Sequence, residues 1–225
     1  MEGMPDKETI TLEYDNMKII DNYRDLPLGM YLEICEIDRR TDIDDLHKQV
    51  CIISILSGMA EEDIYNLPIE DYKELAAKAR FLGKEYDGEV LTAKTYIVDG
   101  WVLTPVADFR KITTAQYIDF QTFAAEGEKR IVEILSTMLV PKGKKYNQDY
   151  DVIELQEALR KHLSVADALS LFAFFLVKCY ALIKDSLTFS KEMVLKMKDK
   201  EKRESLLKEI QRMEVLLKGG VGLPM

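Results

Sequence analysis

Apolar and polar residues alternate through "ETITLEYDNMKII", residues 8–20, with Ile10, Leu12 and Tyr14 before Asp15-Asn16 and Met17, Ile19 and Ile20 after it. A period of two, broken by two residues that tolerate positive φ, predicts a β-hairpin. "TYIVDGWVLTPV", residues 95–106, repeats the form around Asp99-Gly100, a stronger type I′ signal. Pro105 has no N–H to give to a ladder, so it should end the second strand or lie at an edge.

After each hairpin the period lengthens to that of a helix. "YRDLPLGMYLEI", residues 23–34, and "FRKITTAQYIDF", residues 109–120, align without a gap at an offset of 86. Leu26-Pro27 and Ile112-Thr113 read as helix openings, because Pro costs nothing in a first turn and Thr can cap. Tyr31 and Ile34, like Tyr117 and Phe120, are three apart and share a helix face. "ILSGM" at 55–59 answers "ILSTM" at 134–138, each closing an apolar helical run, at 50–56 and 131–139. "LPIEDYKEL" at 67–75 answers "LSVADALSL" at 163–171, with Pro68 or Ser164 at the start and Asp71 or Asp167 in the first turn, where a negative charge suits the helix dipole. The expected fold is therefore mainly α with small β-hairpins. Two pseudo-repeated units of a hairpin and three helices, residues 8–82 and 94–183, would precede a C-terminal amphipathic helix.

That last helix is expected over residues 190–218, with Leu206, Ile210, Met213 and Leu217 in one apolar stripe and mixed charges, including "KDKEKRE" at 198–204, on the other face. The stripe needs a surface to cover, either the body of the chain or another subunit. Residues 219–225, "GGVGLPM", read as a helix stop and a flexible tail. The most apolar stretch, residues 168–183, holds Lys178 and is shorter than the roughly 20 residues of a bilayer span, so a buried core helix in a soluble protein is expected.

Charge narrows the partners. Across 225 residues the formal charge is −9, which argues against a surface built for phosphate backbones and hence against direct nucleic-acid binding. Three cysteines, Cys35, Cys51 and Cys179, are an odd number without a CxxC pair and read as buried thiols in a reducing compartment. No apolar segment of a targeting signal opens the chain, so no membrane partner is expected.

Candidate chemistry is sparse. His47 and His162 read as isolated surface or cap-side residues without a ligand partner one helical turn on, so no metal site and no cofactor is expected. "TDIDD" at 41–45 lacks the Gly and closing Glu of a calcium loop and reads as a helix N-terminus, and "NQDYD" at 147–151 as a loop before a helix from Val152. Gly219, Gly220 and Gly222 follow a helix, the wrong context for a phosphate loop. With no convergent set of titratable groups, a non-enzyme is expected. Partner contacts are sought instead at Trp101, at the Lys142, Lys144 and Lys145 turn, and along Leu206, Ile210, Met213 and Leu217. A small enzyme or metal-dependent hydrolase with a site built from distant residues is the main alternative, and a bacterial adaptor or regulator a further one.

"YRDLPLGMYLEI", "CIISILSGMAEEDIYNLPIEDYKELAAKARFL" and "KITTAQYIDF" resemble small acidic assembly proteins of tailed bacteriophages, in the style of tail-assembly chaperones of Bacteroides and crAss-like phages. The resemblance covers residues 23–120 and carries no catalytic residues. It implies a protein that binds tape-measure, portal or tail components, or itself, in the host cytoplasm during assembly, whether or not it stays in the particle.

Overall fold

A computed structural model describes residues 19–84, 86 and 95–218. The hairpin expected at 8–20 therefore lies outside the described residues except for Ile19 and Ile20, as do the tail and its glycines. Among the described residues the chain is mainly helical, with one three-stranded antiparallel sheet. Helices α1 (Leu28–Arg39), α2 (Asp45–Ser57), α3 (Glu61–Tyr65) and α4 (Ile69–Ala79) come first. Strands β1 (Tyr96–Val98) and β2 (Trp101–Pro105) follow, then α5 (Thr114–Ala124), α6 (Ile131–Met138), β3 (Leu139–Pro141), α7 (Val152–His162), α8 (Val165–Leu195) and α9 (Lys200–Lys218).

The second hairpin forms as expected, with Asp99 at φ 47° and Gly100 at φ 78°, the two positive values a type I′ turn requires. Val98 pairs with Trp101 across it, and Pro105 ends the strand. The helical run expected at 131–139 stops one residue early. Leu139 instead opens β3, which pairs with β2 so that Leu103 faces Pro141 and Pro105 faces Leu139.

Helix starts follow their caps. Asp44, Thr113, Asp151 and Ser164 each accept a hydrogen bond from a first-turn N–H, while Pro27 and Pro68 precede α1 and α4 without a side-chain bond. Of the paired phrases, 23–34 and 109–120 lead into α1 and α5, 55–59 and 134–138 close α2 and α6, and 67–75 and 163–171 open α4 and α8, but α1–α4 and α5–α8 make four helices in each stretch where three are expected, and α8 runs past residue 183. Two of these openings also meet in space. Leu28 N–H donates to Leu163 O at 2.9 Å and Val165 N–H to Leu26 O at 2.8 Å, tying the start of α1 to the start of α8. Each thereby satisfies a first-turn donor that a helix leaves unpaired.

Helix α6 is the centre of the main core. Its Ile131, Ile134, Leu135 and Met138 are buried among Phe120 of α5, Leu103 of β2, Leu155 and Leu159 of α7, and Leu171 and Phe175 of α8. A smaller cluster of Val50, Ile53, Ile64 and Leu75 joins α2, α3 and α4.

The largest departure from the sequence pattern is at the C-terminus. Residues 190–218 are not one helix: α8 continues through 168–183 to Leu195, the chain turns, and α9 begins at Lys200. Asp199 sets the break by accepting from Lys202 N–H at 3.1 Å, an N-cap hidden inside the run of charges. Helix α9 then folds back on α8 rather than on the body, with Leu187, Val194 and Ile210 buried together and Met197, Leu206 and Leu207 packed against them. The result is a two-helix arm. By length and composition α8 also passes for a bilayer span, with an 18-residue window of mean hydropathy 1.8, and its first turns lie in the main core.

Candidate functional site: the helical arm and the α2–α3 junction

Among the α8 residues that pack in the main core, five recur in a heptad. Ala168, Phe175 and Leu182 occupy one position of it, Phe172 and Cys179 the other, and all five pack in the main core. Spacings of four and three that repeat every seven residues place them on one seam. Continued along the helix, the seam reaches Ser186, Phe189 and Met193, where the body no longer covers it. Phe189 is 65% exposed and Met193 52% exposed, although the same seam is closed at Phe175. Helix α9 does not fill the gap, because it packs on the face of α8 that carries Leu187 and Val194. An apolar seam thus leaves the body half-covered.

Charge separates the arm from the body. Residues 184–218 hold ten Lys or Arg against seven Asp or Glu, a surplus of three positive charges, whereas the rest of the chain holds twenty-one against thirty-three. The segment that carries the uncovered end of the seam is therefore net basic on a molecule of net charge −9.

The candidates read from the sequence fall in separate places. Leu206 and Ile210 are taken up by packing inside the arm, and the side chains of Met213 and Leu217 lie outside the described residues. As a free docking stripe, Leu206 and Ile210 are corrected: the chain itself covers them. Lys142, Lys144 and Lys145 sit on the exposed turn after β3, where Gly143 has φ 77° and Lys142 N–H donates to Val102 O at 2.8 Å.

Trp101 is half-buried, its ring edge-on to Tyr150 at 6.0 Å, so it packs against the core instead of standing free. Burial pushes the Tyr150 hydroxyl up to about 12 from an ordinary 10. The folded state therefore holds the proton more tightly than the unfolded chain. Stability that Tyr150 contributes below pH 10 should be lost as pH rises from 10 to about 12. Denaturation midpoints across that range, compared between the native chain and Tyr150→Phe, measure it; the native chain should lose more.

A second cluster lies at the α2–α3 junction, and here the expectation for His47 is corrected. Cys51 stands one helical turn beyond it on α2, so the two side chains share a face. Gly58, in the left-handed region at φ 74°, stops α2 and turns the chain so that Glu61 opens α3 against that face. His47 Nε2 lies 3.5 Å from Glu61 Oε2, and Cys51 Sγ donates to Glu61 Oε1 at 3.4 Å. Tyr65 Oη meets His47 Nδ1 at 3.0 Å. Burial first, and the Glu61 carboxylate second, push the Cys51 thiol above its ordinary value, which opposes a thiolate nucleophile. His162 has only Asp99 beside it, at 3.9 Å, and gathers no such cluster among the described residues.

No family model, no curated protein and no solved structure matches this chain. What can be said of function rests on the seam and the cluster.

Proposed function

We propose that the chain is a non-catalytic docking protein that seats an α-helix of a partner along the uncovered end of the α8 seam. The observation that carries this is the exposure of Phe189 and Met193 in heptad register with the buried Phe175 and Phe172. A helix laid on that seam would extend the packing that α8 already makes in the body, its own apolar residues entering between those of α8. The basic surplus of residues 184–218 favours acidic positions flanking the partner's apolar ones. The sequence resemblance to phage tail-assembly proteins supplies a setting: assembly in the host cytoplasm, with a long helical tape-measure protein as the occupant.

The proposal is tested by placing a photo-crosslinking amino acid at position 189, and as a control at position 201 on α9, in cells that make the whole set of particle proteins. Crosslinks from position 189 should map to one acidic, heptad-bearing helical segment of another chain, with position 201 giving far fewer. Crosslinks only to a second copy, or equal labelling from both positions, would overturn it.

A further inference from the structure

We propose that His47, Cys51 and Glu61 form a three-ligand site for a thiophilic divalent cation of the zinc class, clamping α2 to α3. Their ligand atoms all lie within 4.8 Å of one another. The spacing itself is informative. Zinc bonds of about 2.3 Å to sulfur and about 2.0–2.2 Å to nitrogen or oxygen, set at tetrahedral angles, place neighbouring ligand atoms roughly 3.3–3.5 Å apart. The sulfur lies 3.4 Å from Glu61 Oε1, and His47 Nε2 lies 3.5 Å from Oε2, the other oxygen of the same carboxylate. A set that spans at most 4.8 Å closes to those spacings by a small turn of the Glu61 carboxylate.

The imidazole is also already oriented. Tyr65 occupies Nδ1, which leaves Nε2 on the side of Glu61 and Cys51; once a metal takes Nε2, the ring proton moves to Nδ1 and the Tyr65 oxygen accepts it, as an outer partner of a metal-bound histidine does. One sulfur, one nitrogen and one carboxylate oxygen select zinc over magnesium or calcium, which take oxygen ligands. Binding releases the thiol proton of Cys51 to solvent as the metal–sulfur bond forms. His47 is half-buried and Glu61 exposed, so the fourth position of the ion opens to water. This site stands apart from the α8 seam and does not depend on docking there.

The test uses the full chain with cobalt(II) as a spectroscopic probe and zinc as its competitor. One equivalent of cobalt should give a thiolate charge-transfer band and the visible bands of a tetrahedral ion, both removed by one equivalent of zinc. Cys51→Ala should abolish the charge-transfer band, and Glu61→Gln should weaken binding at least tenfold. Tyr65→Phe should weaken it on the order of tenfold, as outer-shell losses do. Cys35→Ala and Cys179→Ala should bind as the native chain does. Absence of stoichiometric binding by the folded native chain, or an unchanged spectrum and affinity in Cys51→Ala and Glu61→Gln, overturns the proposal. If Cys51→Ala fails to fold by circular dichroism, the partly exposed Glu61→Gln decides alone.

Discussion

Phe175→Ala should unfold about 3–5 kcal/mol more easily than the native chain, whereas Phe189→Ala, at the same heptad position two heptads further along α8, should change stability by less than about 0.5 kcal/mol. The residue type, the helix and the seam are the same. Only the surroundings differ: Phe175 is fully buried against α6 and its neighbours, while Phe189 stands past the end of the body. Removing a buried ring loses its transfer free energy and leaves a cavity that close-packed neighbours fill only in part. Removing an exposed ring costs neither. Because a domain is stable by only about 5–15 kcal/mol, the first substitution takes a large fraction of the total. Urea unfolding, read by circular dichroism, measures both. Similar losses at the two positions would mean that the seam is covered along its whole length.

The second large effect is expected at Gly29, and there two terms oppose each other. Alanine is favoured over glycine by at most about 1 kcal/mol in a helix, and Gly29 stands in the first turn of α1, where the gain is smaller. Yet a Cβ on Gly29 would sit 2.9 Å from the carbonyl oxygen of Arg160, in the last turn of α7. That oxygen belongs to backbone and cannot swing away as a side chain would. Forcing the helices apart costs about 1–3 kcal/mol, and it acts beside the Leu28 to Leu163 and Val165 to Leu26 hydrogen bonds that tie α1 to α8. The clash should win over the propensity gain. Gly29→Ala should therefore lower the urea midpoint, and Gly29→Val should lower it further. An alanine variant more stable than the native chain would show that α1 and α7 separate without cost.

Much of this architecture was legible because local chemistry and tertiary structure agree. Thr113, Asp151 and Ser164 cap helices where a polar residue precedes an apolar period, and Asp99-Gly100 turns where positive φ is needed. Strand β3 was hidden because Leu139 and Val140 continue the apolar run of α6, and a three-residue strand has no period of its own. Its partner β2 makes it a strand. The break before α9 was hidden because neither Gly nor Pro marks it, only Asp199 in a run of charges.

The sites followed the same division. Residues 168–183 invite a reading of total apolarity, which obscures the heptad that runs past them to Met193. The spacing of His47 and Cys51 was visible in the sequence, but a search for paired ligands of one kind passes over a mixed pair. Glu61 could be placed beside them only in space, since it depends on the left-handed turn at Gly58. Trp101 and Ile210 show the converse: a large apolar side chain is first of all packing material, and the fold uses both that way.

The most direct measurement is made on Phe189→Asp in the full chain, with the partner helix recovered by crosslinking prepared as a peptide. Losing the burial of one aromatic side chain is worth about 2 kcal/mol, so partner affinity should fall roughly 30-fold while the unfolding midpoint stays where it is. Unchanged affinity together with a clear loss of stability would contradict an open seam, because Phe189 would then belong to the interior of the fold.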